Sequence, residues 1–224
     1  MTKRLNWRNV AKMTVACLTV VAAVFISCGK DELGGGSIGG KQSPVGEVGN
    51  TFRINGSVPG VSGVTSQITS LDDGISTMAM TATITNPDIL NVVAAIPGAE
   101  VTGTSASFSR QYRFTSQGIQ TIFPEGAFTA IKYDAKKGDV YTLKRGSRTI
   151  RREVTKVSNE NEFSWNGMKI KTIHVKETGS GVGMPGLDYV EYVYNHKFSL
   201  VACIVYFEDG TTLNVPFISN ATNS

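Results

Sequence analysis

The sequence of 224 residues contains few of the side chains from which metal sites are built, with three cysteines and two histidines. Zinc is normally held by three or four such ligands at close spacing. His174 and His196 are accompanied by no HExxH, paired CxxC or His-x-His pattern. We therefore expect no metal site and no cofactor, and we interpret both histidines as structural or surface residues.

A framework of several disulfide bonds is excluded, because Cys203 is the one cysteine of the sequence beyond residue 28. Cys203 falls in the apolar run Phe198–Phe207, which predicts a small, buried hydrophobic residue. The 167 residues of Thr51–Phe217 must then be held together by their own core. That length is ample for one domain.

Recognisable catalytic motifs are also missing. No G-x-S-x-G nucleophile elbow occurs. Gly181–Gly186 matches G-x-G-x-x-G letter for letter, but Pro185 lies inside it and no strand–helix–strand unit surrounds it, as a dinucleotide site requires. We interpret this segment as a hairpin loop and expect a protein without enzymatic activity.

A small hydrolase is the alternative, because paired carboxylates support glycoside hydrolysis at a defined separation. Sequence alone places no two carboxylates at that separation. The candidates by residue type are Glu153, Glu160, Glu162, Glu177, Asp188 and Glu191.

The N-terminus carries the strongest pattern in the chain. Four basic residues precede an apolar run from Met13 to Ile26, which ends at Ser27 and Cys28. The 15 residues from Met13 to Ser27 would span about 22 Å as a helix, short of the ~20 apolar residues that cross a bilayer. A basic start, a short apolar run and a small residue before the cut are the order of a secretory signal peptide.

This stretch resembles the signal peptide of a bacterial lipoprotein, which signal peptidase II removes before a cysteine that then carries lipid. The resemblance implies a signal peptide at residues 1–27 and lipidation of Cys28. More than one acyl chain makes such an anchor stable, at ~0.8 kcal/mol per buried methylene. The alternative interpretation is an uncleaved anchor helix or a buried core helix.

The residues after the cysteine, Gly29-Lys30-Asp31-Glu32, resemble the acidic tags of surface-exported lipoproteins in Bacteroidetes-type bacteria. The alternative is a solvated start to a linker. The resemblance implies a cell-envelope protein that is lipid-anchored to the outer membrane and exposed on the cell surface. It covers about the first 32 residues, and no family is recognised for the folded body.

The net charge of +4 arises in the signal region. Four of the 22 basic residues lie there, so the remaining 18 match the 18 acidic residues in number. A nucleic-acid-binding domain needs a basic surface or a high pI of its own. We expect no nucleic-acid partner.

Residues 28–50 are predicted to be a lipidated cysteine followed by a flexible tether, because Gly29–Asn50 contains eight glycines in 22 residues. A single β-rich domain is predicted at residues 51–218, and a polar tail at 219–224. A division into two subdomains near residues 124–126 is the alternative.

One short helix is predicted around residues 87–96. Asn86 is a good N-cap, and Pro87 suits the first helical position. Apolar residues then recur at helical spacing, at Ile89, Val92, Val93 and Ile96.

The rest of the domain reads as many short strands with turn residues between them, which is typical of an all-β, mostly antiparallel sandwich or open barrel. Asn166-Gly167 is a two-residue hairpin signal. From Ala106 to Phe114 apolar residues alternate on one face, with Arg110 among them.

Two features suggest ligand contacts. Trp165 stands beside the Asn166-Gly167 turn, where an exposed ring could stack on a sugar. Arg148, Arg151 and Arg152 belong to a basic cluster that could attract anionic headgroups or glycans. The alternative for the cluster is a solvated face that discourages edge pairing.

These observations predict a membrane-anchored envelope lipoprotein whose β-rich domain binds a glycan or another envelope component without transforming it. One alternative is an assembly subunit of a surface complex or fimbria, with Thr211–Phe217 as a swappable edge strand. A second is a lipid-handling open barrel.

Overall fold

A computed structural model describes residues 37–56, 58–94, 98–124, 126–145, 148–179 and 186–222. The predicted signal peptide, Cys28 and the acidic tag lie outside these residues. Within them the chain forms fifteen strands, one eight-residue helix and a short 3-10 helix at Pro44–Gly46. The prediction of an all-β, antiparallel fold with one short helix is confirmed.

The strands follow one another along the chain with short connections. The N-terminal seven are β1 (Thr51–Ile54), β2 (Val61–Asp72), β3 (Ile75–Ile84), β4 (Glu100–Thr102), β5 (Ser105–Thr115), β6 (Gly118–Phe123) and β7 (Gly126–Lys132). The next eight are β8 (Val140–Arg145), β9 (Arg148–Val157), β10 (Phe163–Trp165), β11 (Met168–Ile170), β12 (Ile173–Gly179), β13 (Leu187–Asn195), β14 (Ser199–Phe207) and β15 (Thr212–Ser219).

Thirteen of these strands form one antiparallel sheet, in the order β7-β6-β5-β3-β2-β1-β15-β14-β13-β12-β9-β8, with β4 added beside β5. The first and last strands join its two halves, because Phe52 of β1 pairs with Ser219 of β15. The sheet curls into a nearly closed barrel. Its two outermost strands, β7 and β8, are consecutive in the chain and lie on either side of a seam.

The core lies inside this curved sheet, because alternate residues of each strand point inward. One continuous cluster contains buried side chains from both halves, including Met78 and Phe128 from the N-terminal half and Val175 and Val205 from the C-terminal half. The alternative division near residues 124–126 is therefore wrong, since β6 and β7 pair across that turn and share this core.

Helix α1 (Pro87–Ala94) starts as predicted, with the Asn86 side chain accepting a hydrogen bond from the Ile89 N–H at 3.3 Å. Ile89 and Val93 are fully buried. The helix follows the end of β3 at Ile84, so it covers that end of the barrel.

The opposite end is covered by residues 37–50, and the predicted flexible tether is wrong for this part of the chain. Val45 is 1% exposed and belongs to the main core. The Ile38 N–H donates to Gln120 Oε1 at 3.3 Å, and Ser76 Oγ donates to the Gly46 carbonyl at 2.7 Å. The apolar Ile38 and Val45 outweigh the local glycine content, and the domain begins before the predicted boundary at residue 51.

The hairpin of β10 and β11 packs on the outside of the barrel. Trp165 and Ile170 cover Val193, Ala202 and other side chains on the outer face of the C-terminal half. The chain leaves this hairpin at Lys171 and Thr172 before it enters β12.

The premise of the assembly alternative is contradicted. β15, which contains most of Thr211–Phe217, lies between β1 and β14 and pairs with both. It is a central strand of the sheet and offers no free edge for strand exchange.

Candidate functional site

An apolar cavity of about 100 Å³ lies inside the barrel, between its two halves. Phe52, Met78 and Phe114 line it from the N-terminal half. Tyr192 and Cys203 line it from the C-terminal half. Cys203 is fully buried, as predicted. Because an apolar cavity of about 150 Å³ holds benzene, this one has room for the end of an alkyl chain.

The lining is adaptable and approaches the protein surface. Met78 and Met80 have flexible, polarizable side chains, which adjust to ligands of irregular shape. Ser66, Leu200 and Phe217 also line the cavity and are only half-buried. A longer ligand can therefore enter beside these three residues while its end occupies the cavity.

A second, smaller pocket of about 20 Å³ lies toward helix α1. Met80 lines both pockets, and Val93 of the helix lines the smaller one. Its volume is close to that of one water molecule. Movement of the Met80 side chain would extend the main cavity in this direction.

The interior also contains a buried ion pair. Arg152 of β9 donates from Nε to Glu177 Oε2 of β12 at 2.6 Å, and the side chains are 3% and 0% exposed. β9 and β12 are neighbours in the sheet, and Glu177 pairs with Arg152 in their register. Removing two charges from water is costly even when they are paired, but a single buried charge without its partner is costlier still, so each of these two residues depends on the other.

The guanidinium of Arg152 lies between two aromatic rings. Its Cζ is 4.9 Å from the ring centre of Phe128 on β7 and 4.9 Å from that of Tyr192 on β13. Such cation–π contacts strengthen when water is excluded. Because Phe128 belongs to the N-terminal half, Arg152 connects the two sides of the seam.

Three polar atoms of this group have no hydrogen-bond partner among the described residues: Arg152 Nη1, Glu177 Oε1 and the Tyr192 hydroxyl. We call Arg152, Glu177 and Tyr192 the polar centre. Burial raises the pKa of Tyr192 well above its usual value, and the charge of Glu177 acts in the same direction. The hydroxyl therefore stays protonated and is available as a hydrogen-bond donor.

A second polar array lies on the outer face of the C-terminal half. His174 Nδ1 is 3.2 Å from Glu191 Oε2, and His174 Nε2 is 3.1 Å from Thr172 Oγ1. The hydroxyl, imidazole and carboxylate groups follow one another in the order of a nucleophilic triad. The hydroxyl of Thr172, however, is not open to a substrate, because the residue is only 2% exposed and contacts the Ser158 hydroxyl at 3.3 Å. We therefore interpret the array as a structural one that stabilises the start of β12.

Trp165, predicted as an exposed sugar-stacking ring, is buried between its hairpin and the outer face of the barrel and is 6% exposed. Its Nε1 donates to the Phe217 carbonyl at 2.8 Å, and its ring centre is 4.5 Å from that of Phe198. The expectation of exposure is wrong because the hairpin folds back on the sheet. Trp165 instead fixes this hairpin to β15, next to a residue that lines the cavity.

The three predicted basic residues do not form one surface. Arg152 points into the core, whereas Arg151 is exposed and pairs with Glu153 at 2.5 Å. The backbone of Arg148 begins β9, but its side chain lies outside the described residues. The prediction that Arg152 belongs to a basic surface is therefore wrong.

The alternation of side chains along β9 indicates that Arg152 points into the barrel. It shares a face with Ile150 and Val154, just as Glu177 shares a face with Ile173 and Val175. An arginine and a glutamate on the apolar faces of two neighbouring strands indicate a buried pair.

The comparisons with known proteins add no identity, because no family model, curated protein or solved structure matches this chain. Across residues 37–56, 58–94, 98–124, 126–145, 148–179 and 186–222, no three His, Cys, Asp or Glu side chains are grouped to hold a metal ion. None of the helices in these ranges is long and apolar enough to cross a bilayer.

Proposed function

We propose that this protein is a non-catalytic binding protein of the cell envelope that holds the alkyl part of a lipid or another amphiphile inside its curved sheet. The observation that supports this proposal is the apolar cavity between Phe52, Met80 and Phe217, which approaches the surface on one side. This places a lipid-handling role ahead of the glycan-binding role, since the burial of Trp165 under its hairpin removes the main support for sugar stacking.

Hydrophobic burial provides the affinity. Each methylene that enters the cavity contributes about 0.8 kcal/mol. A chain end of four methylenes would therefore contribute roughly 3 kcal/mol before the entropic cost of binding. The two methionines allow the cavity to accept chains of different shape, which suits a carrier of envelope lipids.

The resemblance of residues 1–32 to a lipoprotein export signal supports the proposed location. Lipid on Cys28 would hold the protein on the outer membrane. Eight residues lie between Cys28 and Ser37, where the described chain begins, and the nine steps from one Cα to the next span at most about 30 Å. The cavity would then lie close to the bilayer that supplies its ligand.

The proposal is tested with the full chain in phosphatidylcholine vesicles and an alkyl probe that carries a photoreactive diazirine at the end of its chain. Peptide mapping after irradiation should find the label on cavity residues such as Met78 and Met80. An excess of the unlabelled probe should abolish this labelling. Label confined to the protein surface would contradict the proposal.

A matched pair of variants controls for effects on the fold. Ser66→Leu places a larger side chain in the cavity, and we expect it to reduce labelling at least fivefold. Ser62→Leu makes the same change on the same strand at an exposed residue that is not part of the cavity lining, and should leave labelling unchanged. Equal labelling of the two variants would refute binding in this cavity.

A further inference from the structure

We infer that the polar centre recognises the head group of the ligand, and that this group is uncharged and both donates and accepts hydrogen bonds, with a hydroxyl as its simplest form. The ligand would be a fatty alcohol or another amphiphile with a free hydroxyl. This inference rests on the proposed function, because it concerns the same site.

The position of Tyr192 joins the polar centre to the cavity. Its ring lines the cavity, its side chain is fully buried, and its hydroxyl has no hydrogen-bond partner among the described residues. The guanidinium of Arg152 lies 4.9 Å from the centre of the same ring, and Glu177 is bonded to that guanidinium. A ligand in the cavity therefore has Tyr192 beside it, with Arg152 next to the Tyr192 ring and Glu177 bonded to Arg152.

The chemistry of the three unpaired atoms defines the complementary group. Arg152 Nη1 can only donate, Glu177 Oε1 can only accept while it is ionised, and the Tyr192 hydroxyl can do both. A hydroxyl on the ligand can accept from Arg152 or Tyr192 and donate to Glu177 or Tyr192. A group that can only donate or only accept hydrogen bonds cannot satisfy both Arg152 Nη1 and Glu177 Oε1.

Charged and purely apolar ligands fit less well. Arg152 and Glu177 already neutralise each other, so a carboxylate would be repelled by Glu177 and an ammonium group by Arg152. A buried charge that is not compensated is expensive. A hydrocarbon end would leave the polar atoms unpaired, and a site built to bond a hydroxyl discriminates strongly against an analogue that lacks it.

The test uses the full chain in phosphatidylcholine vesicles and a fatty-alcohol probe whose diazirine lies next to the hydroxyl group, because in a ligand of this kind the hydroxyl-bearing end and its first methylenes enter the cavity. Four competitors of equal chain length are compared: dodecanol, dodecanoate, dodecyltrimethylammonium and dodecane. Concentrations are expressed as mole fractions in the vesicle, which corrects for partitioning. We expect dodecanol to displace the probe at a mole fraction at least tenfold below each of the other three.

Tyr192→Phe removes only the hydroxyl and should reduce this preference to less than threefold, while dodecane competes as it does with the unmodified chain. Tyr189→Phe is the matched control, because Tyr189 lies on the same strand with its ring stacked on Tyr206 and does not line the cavity. It should retain the preference. Thermal unfolding of both variants verifies that they are folded.

The outcomes separate the two proposals. Absence of saturable labelling in the cavity would refute the proposed function. Saturable labelling with equal competition by all four compounds would leave the proposed function standing and overturn the inference, since the polar centre would then be occupied by water alone. Stronger competition by dodecanoate would overturn it as well.

Discussion

The buried ion pair between Arg152 and Glu177 makes a sharp prediction about stability. In the intact pair the side chain of Arg152 is 3% exposed and that of Glu177 is 0% exposed. Glu177→Gln and Arg152→Met therefore each leave the remaining partner in a site from which water is excluded. Breaking a buried pair by removing one partner typically costs about 3–5 kcal/mol. We expect each single variant to lower the free energy of unfolding by that amount.

The double variant Arg152→Met with Glu177→Leu should recover most of this loss, because two apolar side chains of similar volume leave no buried charge. Such replacements are often neutral or stabilising by about 1–4 kcal/mol. The neighbouring pair of Arg151 and Glu153 provides the control, since its side chains are 46% and 38% exposed. Arg151→Met and Glu153→Gln should each change stability by less than about 1 kcal/mol.

Urea unfolding followed by far-UV circular dichroism measures these differences through the transition midpoint. If the buried single variants were as stable as the exposed ones, Arg152 and Glu177 would not be desolvated and paired in solution. If the double variant were the least stable of all, the packing of Arg152 between Phe128 and Tyr192 would outweigh its charge.

Three further predictions concern other parts of the fold. Gly118→Ala should cost about 1–3 kcal/mol in urea unfolding, because its new Cβ would lie 2.2 Å from a backbone oxygen of β7; unchanged stability would contradict the close approach of the two strands at this residue. Val45→Ala should lower the free energy of unfolding by about 1–3 kcal/mol, because Val45 is buried in the core. Val48→Ala, at a residue that is 60% exposed, should leave the free energy of unfolding unchanged. Equal losses of stability in the two variants would contradict the packing of residues 37–50 against the barrel. Burial opposes ionisation of Glu191, but hydrogen bonds from His174, Thr155 and Tyr206 and the charge of His174 outweigh it and hold the pKa of Glu191 below its usual value. The stabilisation that Glu191 provides is therefore present above the usual pKa of a glutamate and is lost as the pH falls through the folded-state pKa. Between pH 5 and pH 3 the stability of Glu191→Gln should fall less than that of the unmodified chain.

Local pattern predicted most of the strands. The Asn166-Gly167 turn joins β10 to β11 as a two-residue hairpin, and α1 begins at Pro87 as its N-cap indicated. These elements depend on alternation, capping and turn residues within about ten positions of the chain. Their formation requires little information from distant residues.

The candidate site depends on longer-range structure. The cavity exists because β1 pairs with β15 and brings the two halves face to face, and no local pattern encodes that pairing. Trp165 was misplaced because the NG turn predicts a hairpin but not the surface on which it packs. Residues 37–50 were misjudged because glycine content concealed two anchoring apolar side chains.

The pairing of the first and last strands also affects how the protein reaches its folded state. The Thr51 N–H donates to the side chain of Asn220, 169 residues away in sequence, at 2.7 Å. Contacts of such high sequence separation are slow to form, and they cannot form until the C-terminal strand has emerged from synthesis or export. Until then the edges of β1 and β14 remain unpaired, as is typical of segments that aggregate or recruit chaperones. A chain that is exported in an unfolded state therefore cannot complete its barrel before β15 has been exported. A chain that is truncated before β15 lacks the strand that joins the two halves.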